Sequence, residues 1–316
     1  MKYIEALSDG MHVREVYLCK TKTIALTKNG KEYGNILLQD KTGQLEAKIW
    51  DLNSPGVGEF EPMDYVFVEG NVTVFNHANQ LNISRIRKAS EGEYTPADYF
   101  PVSSKDIGEM YGALQKLILS MQSEPLRKLC SSFLIEDQAF VRTFSHHSAA
   151  KSVHHGFIGG LLEHTLSVTQ ICDQMAQHYP FLNRDLLLAG AMLHDIGKTK
   201  ELSAFPTNDY TDAGQLLGHI MIGAQMVDER IRQMEGFPEK LAAELLHMIL
   251  SHHGELEFGS PKKPAIMEAL VLSFADNMDA KVETMYEALN TKPPQNPDGW
   301  VGFNRLLDSN IRKTSA

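Results

Sequence analysis

The hydrophobic and polar positions change their period once along the chain, near residue 100. Ahead of that point lie five runs rich in β-branched and aromatic residues, at 13–26, 33–39, 45–51, 65–75 and 80–88. Such runs predict strands, because branched and aromatic side chains fit a pleated, half-buried surface. The turn signals Asn29-Gly30, Lys41-Thr-Gly43, Pro55-Gly56 and His77-Ala-Asn79 separate them. Five strands with no helical pattern among them predict a small all-β barrel over residues 1–90, best matched by the OB-fold.

Residues 91–102 read as a linker. The stretch Ser90-Glu-Gly-Glu-Tyr-Thr-Pro-Ala-Asp-Tyr-Phe-Pro101 starts polar and carries two prolines, which oppose regular structure. Beyond it the apolar positions recur at helical spacing. Ser103-Ser-Lys-Asp106 can cap a helix running to about residue 121, and Pro125 suits the first turn of the next, at 124–134. Further helices are predicted at 137–145, 161–178, 184–196, 214–234, 238–252 and 264–289. A second, all-α domain is therefore expected over 103–289. Residues 290–316 are Pro-rich, then polar, and are expected to form an irregular tail or partner arm.

Composition narrows the function classes. A chain of 316 residues exceeds the usual single domain, in keeping with two. The net charge of −10 argues against a broad nonspecific nucleic-acid coat, but leaves room for a local basic groove or a metal-assisted phosphate site. Cys19, Cys130 and Cys172 are scattered and form no CxxC pair, the usage of reduced core thiols in a cytoplasmic protein. The N-terminal residues lack an apolar signal core, and no run reaches the ~20 apolar residues that span a bilayer. No membrane association is expected.

The candidate chemistry lies in the helical half, which holds 11 of the 13 histidines after residue 145. The apolar run Ala189-Gly-Ala-Met-Leu-His-Asp-Ile-Gly-Lys198 delivers His194 and Asp195 side by side, then breaks at Gly197 and presents Lys198. His164 lies on a face with Val168, Ile171 and Met175, and His219 on one with Leu216, Ile222 and Met226. Taken alone, each is better explained as a satisfied core histidine. Asp276 shares a face with Ala269, Leu272 and Ala280, and a buried carboxylate needs a cation or donors. His252 and His253 end a helix just before Gly254, where neighbouring side chains can be aimed into one cavity. Together these residues exceed the needs of one catalytic metal. They suit two divalent ions bridged by Asp195, with imidazole and carboxylate ligands favouring Mn, Fe, Co, Ni or Zn.

The motifs resemble those of the HD-domain metal-dependent phosphohydrolases. His219 and Ser251-His-His253 resemble the binuclear branch of that superfamily. A barrel followed by Gly159-Gly-Leu-Leu-Glu-His-Thr165, Leu193-His-Asp-Ile-Gly-Lys198 and Ser251-His-His-Gly-Glu255 is similar to the YhaM-type 3′-to-5′ exoribonucleases of Gram-positive bacteria, over nearly the whole chain. That resemblance implies removal of nucleoside 5′-monophosphates from the 3′ end of single-stranded RNA, with some action on single-stranded DNA. The metal is implied to be manganese. It assigns His164, His194, Asp195 and Asp276 to one ion and Asp195, His219 and His252 or His253 to the other. The stretch Gly254-Glu-Leu-Glu-Phe-Gly-Ser-Pro261 lacks the Gly-Tyr-Pro element of the cyclic-dinucleotide branch.

The expected chemistry is hydrolysis by a two-metal-activated hydroxide. Lys198 can reach a phosphate oxygen, and Lys151, His154 and His155 can contact the scissile phosphate or protonate the leaving oxygen. On the barrel, Trp50 and Phe75, together with Tyr17, Tyr33 and Phe67, can stack on bases, while Lys22 and Lys48 follow the backbone. A symmetric oligomer can narrow the site so that only a terminus enters. Two other readings stay open: a hydrolase of small nucleotides or cyclic dinucleotides, and a noncatalytic nucleic-acid-binding factor.

Overall fold

The computed structural model describes residues 1–27, 30–76, 78–100, 102–151, 155–291 and 298–314. Asn29 and His77, expected in turns, and His154, expected near the phosphate, lie outside the described residues. The chain divides into two compact units, Met1–Pro101 and Val102–Ala316.

In the first unit, strands β1 (His12–Leu26), β2 (Glu32–Asp40), β3 (Gly43–Ile49), β4 (Tyr65–Phe75) and β5 (Ala78–Lys88) close into a barrel in the order β1-β2-β3-β5-β4. β4 returns to pair with β1, and β3 with β5 is the one parallel pairing among the described strands. This is the Greek-key order of an OB barrel. Alternation turns Ile36 and Leu38 of β2, and Leu45, Ala47 and Ile49 of β3, into the interior. Tyr17 fills that interior as well, its hydroxyl donating to the Lys2 carbonyl at 2.7 Å. It is a core residue and not the stacking face expected of it.

The second unit contains α1 (Ile107–Leu119), α2 (Glu124–Ser131), α3 (Gln138–His146), α4 (Gly160–His178), α5 (Arg184–Leu193), α6 (Lys198–Glu201), α7 (Asp212–Arg232), α8 (Glu239–Ser251) and α9 (Met267–Thr291). Side-chain caps set the starts: Asp106 accepts from Glu109 N at 2.8 Å, and Thr211 Oγ1 from Gly214 N at 3.0 Å. Leu187 to Leu193 on α5 are buried on every face, so α5 is the central helix of the bundle. It ends at Leu193, short of the expected residue 196, and a turn carrying His194 and Asp195 leads to α6. Within α7, Gly218 sits at φ 72°, ψ 159° and kinks the helix immediately before His219. Only a residue without Cβ adopts that conformation at little cost.

The C-terminal stretch corrects the expectation of an irregular tail at 290–316, while the named elements of residues 103–289 are helical. β6 (Trp300–Asn304) and β7 (Ser309–Arg312) form an antiparallel hairpin. Val301 and Ile311 are buried, and Asn304 Oδ1 accepts from the amides of Leu306 and Leu307 to fix the turn. Among the described residues, no helix is long and apolar enough to cross a membrane.

Candidate metal centre

Five histidines from four helical segments converge, and each has its Nδ1 occupied. His164 on α4 meets Asp279 Oδ2 at 2.7 Å; His194, at the end of α5, meets Ala191 O at 2.8 Å; His219 on α7 meets Glu201 Oε1 at 3.0 Å. His252 and His253, past the end of α8, meet Ile249 O at 2.7 Å and Phe258 O at 2.8 Å. Each Nδ1 faces an acceptor, which fixes it as a donor and turns Nε2 toward the interior; on His164, burial opposes charge but Asp276 and Asp279 outweigh it and raise the imidazole to about 9, a positive charge that a bound cation would replace. The Nε2 atoms of His164, His194, His219 and His252 are gathered around Asp195.

The two oxygens of Asp195 face different partners. Oδ2 lies 3.3 Å from His194 Nε2 and 3.5 Å from His164 Nε2, which is itself 3.1 Å from Asp276 Oδ1. Oδ1 lies 3.5 Å from His219 Nε2 and 3.7 Å from His252 Nε2, beside His253. The structure thus brings together His164, His194, Asp195, His219, His252, His253 and Asp276, with both members of the His252-His253 pair in the cluster. Lys198 Nζ joins it, 2.6 Å from Asp195 Oδ2. A close helix crossing makes this possible. A Cβ at Gly197 would stand 2.1 Å from the His219 carbonyl oxygen and 2.6 Å from Gly223 N. Only glycine lets the α5–α6 turn lie against α7 and set Asp195 beside His219.

The donor set fits a pair of divalent cations. Asp195 Oδ1, His219 Nε2 and His252 Nε2 are buried and have no hydrogen-bond partner among the described residues, each an arrangement worth about 1–3 kcal/mol of destabilisation if left uncompensated. The Nε2 atoms of His164 and His194 stand 3.3 Å apart. Two lone pairs so placed call for a positive charge between them. Imidazole and carboxylate ligands match a transition ion, with Asp195 able to bridge.

Electrostatics point the same way. Burial opposes charge on Asp195, but Lys198 and His194 outweigh it and hold the carboxyl well below its usual range. Burial also opposes charge on Lys198, and Asp195 more than offsets it, raising the ammonium's pKa. Burial, then His253 and His194, hold His252 well below the usual imidazole value, so its lone pair stays available.

Two of the expected catalytic residues have carboxylate partners in this structure. His155 is buried, its Nε2 3.2 Å from Asp279 Oδ2, the same oxygen that meets His164 Nδ1. Lys151 Nζ pairs with Asp209 Oδ1 at 2.6 Å on the surface. Asp279 and Glu201 are site residues that the sequence motifs do not mark. Asp279 carries a signal, three residues after Asp276 on the same helix side. Glu201 carries none: the α6–α7 turn brings it to His219. The face expected of His219 also differs, because Leu216 is exposed on the far side of the Gly218 kink.

On the barrel, the register separates the expected strand-binding residues. Asn35 pairs with Lys48 and Lys48 with Asn82, so these three share the outer face. Trp50 joins it, donating Nε1–H to Asn82 at 2.8 Å and stacking on Tyr33 at 5.3 Å. Lys48 bonds to Asn35 and lies 5.5 Å from the Tyr33 ring. Asn82 pairs with Asn71, two positions of alternation from Phe75, which therefore lies on that face too and is exposed. Lys22 does not: it pairs with inward-facing Ile36 and donates to Phe60 O at 2.6 Å.

The sequence model of the HD domain matches residues 161–281, which include every member of the cluster. The 3′-5′ exoribonuclease YhaM of Bacillus licheniformis is 35% identical over 90% of this chain and 90% of its own. The chain belongs to the YhaM exoribonuclease family. The Bacillus subtilis YhaM aligns equally, at 35% over 90% of each chain, and that of a Geobacillus strain is 36% identical over 90% of this chain and 87% of its own. Among solved structures, the second OB-fold domain of replication protein A from Methanococcus maripaludis aligns over 29% of this chain and 96% of its own, at 19% identity and a TM-score of 0.22. The HD domain of this YhaM family member implies divalent-metal binding.

Proposed function

We propose that the protein is a cytoplasmic, metal-dependent 3′-5′ exoribonuclease that removes nucleoside 5′-monophosphates from single-stranded RNA and acts on single-stranded DNA to some degree. The observation that carries this reading is the division of Asp195, one oxygen facing His164 and His194 and the other facing His219 and His252. His164, His194, Asp195 and Asp276 on one side, and Asp195, His219, His252 and His253 on the other, would hold two divalent cations, manganese above Fe, Co, Ni or Zn, which would supply charge neutralisation at phosphate and an acidified water near neutral pH.

The chain's own residues do the rest. Lys198, one-sixth exposed, offers its ammonium to a non-bridging phosphate oxygen without a large desolvation change. Asp279 and Glu201 hold the imidazoles in the tautomer that ligates. Attack on the last phosphodiester breaks the P–O3′ bond. The terminal nucleotide leaves with a 5′-phosphate, and the shortened strand keeps its oxygen as a 3′-hydroxyl after taking a proton. The outer barrel face of Trp50, Tyr33, Lys48 and Phe75 supplies stacking and a charge for the strand.

Incubation with 5′-labelled single-stranded RNA and manganese tests the reading. A ladder shortening from the 3′ end supports it; cleavage of free nucleotides or cyclic dinucleotides alone would sink it. Asp195→Ala should abolish hydrolysis and leave strand binding within about twofold. A variant that still degrades RNA overturns the site.

A homo-oligomer is part of the same proposal. Met267, Leu270, Phe274, Met278, Val282 and Met285 recur at steps of three and four and leave an exposed apolar stripe along α9. A stripe of this length, flanked by Tyr179 and Phe181, can form the core of a standard interface, which buries ~800 Å² on each partner. A second copy, packing the same stripe about a two-fold axis, covers it without needing any other chain. Sedimentation of the wild type and of Phe274→Glu should show a dimer and a monomer; a wild-type monomer with full activity overturns this part.

A further inference from the structure

Above the metal centre lies a cavity of about 410 Å³. His164, Asp276 and Lys198 form its floor. Its size falls within the range of pockets that enclose one small ligand. Two large apolar side chains stand at its walls, Phe258 and Leu306, each 62% exposed. They come from separate loops. Phe258 belongs to the short turn after His253, and its carbonyl holds His253 Nδ1 at 2.8 Å. Leu306 stands on the turn between β6 and β7, where Asn304 fixes the backbone. Lys281 on α9 lines the same cavity and makes no ion pair among the described residues.

One exposed leucine is ordinary on a protein surface. Two apolar side chains from different loops, flanking a charged cavity with an unpaired lysine and a metal centre below, form a built arrangement. It matches one nucleotide: an apolar planar part, an anionic part, and a reacting phosphate at the floor. Resting on the exoribonuclease reading, we propose that the C-terminal hairpin walls this cavity into a subsite for the 3′-terminal nucleotide. Phe258 and Leu306 hold its base, and Lys281 guides its phosphate toward Lys198. The hairpin thereby contributes to end selection, because a strand continuing past the cavity meets the β6–β7 turn. Apolar contact is tolerant of base identity, as removal of successive nucleotides requires.

Adenosine 5′-monophosphate, the product of a terminal adenosine, is the probe. Its affinity is read by calorimetry on the full-length protein with manganese present, so no turnover is involved. Leu306→Ala and Phe258→Ala should each weaken it about 5- to 50-fold, the loss of one base contact. Lys281→Ala should weaken adenosine 5′-monophosphate but leave adenosine within about twofold. A second arm uses single-stranded RNA whose 3′-terminal sugar lacks a base. The wild type should lose kcat/KM on it, and the Leu306→Ala variant should show little further loss. Unchanged nucleotide affinity in both apolar variants, or equal losses by wild type and variant on the abasic end, overturns the subsite. Those results leave the exoribonuclease reading standing if wild type still shortens RNA from the 3′ end. Absence of that shortening overturns the activity, and the binding arm still decides the subsite.

Discussion

Asp279 Oδ2 accepts the Nδ1 proton of His164 at 2.7 Å, while its other oxygen takes the hydroxyl of Ser167. The carboxylate also meets His155 Nε2, so one side chain fixes the orientation of the ligand and of the histidine behind it. Removing such a partner costs a metal site about 10- to 100-fold in affinity. Asp279→Asn, which keeps the volume, should weaken manganese binding by that factor in a titration followed by electron paramagnetic resonance. Affinity within about twofold of wild type would show that Asp279 has no part in setting the site.

Glu201 performs the matching task on the other side. Its Oε1 accepts both Nδ1–H of His219, at 3.0 Å, and the amide of the same residue, at 2.9 Å. That amide is freed from the helix ladder by the Gly218 kink, so the carboxylate caps it. Glu201→Ala leaves a half-buried amide without its acceptor, a stability loss of about 1 kcal/mol. Metal stoichiometry should fall from two toward one at low micromolar manganese, because His164, His194 and Asp276 do not touch Glu201. Equal weakening of both ions would place Glu201 outside this division.

How legible each residue is in the sequence depends on the kind of order that places it. The strand runs are visible because barrel residues answer to β-branching and turn chemistry, both local. His194 and Asp195 stand out because an apolar helix ends at them. Lys22 faces away from the expected side because the register of β1 shifts between Cys19 and Thr21, and a one-residue shift reverses the face of every later position. The strands of the C-terminal hairpin are short, and the turn between them carries Asn304 and Asp308, residue types that read as loop. His155 and Glu201 take their roles from contacts across 124 and 18 residues of chain, which no periodicity reports.

On the barrel, Trp50 stacks on Tyr33 and is about half exposed, so its open face is ready for a base. Stacking on an aromatic is worth ~1–3 kcal/mol per base. Trp50→Ala should therefore weaken oligo(U) binding roughly 5- to 150-fold, measured by fluorescence anisotropy with the Asp195→Ala variant as background to prevent hydrolysis. Lys22→Ala, on the opposite face and tied to the Phe60 carbonyl, should change affinity less than about twofold. The reverse order of the two effects would move the strand to the other side of the barrel.

Gly197 tests whether the site depends on the crossing of the α5–α6 turn with α7. Its φ of −61° is open to any residue, so an alanine there meets no backbone strain of its own. The obstacle is space: the added Cβ would lie 2.1 Å from the His219 carbonyl oxygen, and backbone cannot give way as a flexible side chain does. Overpacking of this kind costs about 1–3 kcal/mol or more. A Cβ added at Gly112 on α1 would have nothing within 4 Å, so Gly112→Ala should be neutral or stabilising by up to ~1 kcal/mol. Gly197→Ala is expected to lower the melting temperature by several degrees and to weaken the ion on the His219 side first, because that carbonyl must move and carries the imidazole with it. Calorimetry and a manganese titration on the two alanine variants separate these effects. Equal behaviour of Gly197→Ala and Gly112→Ala would mean that the crossing yields without disturbing Asp195 or His219.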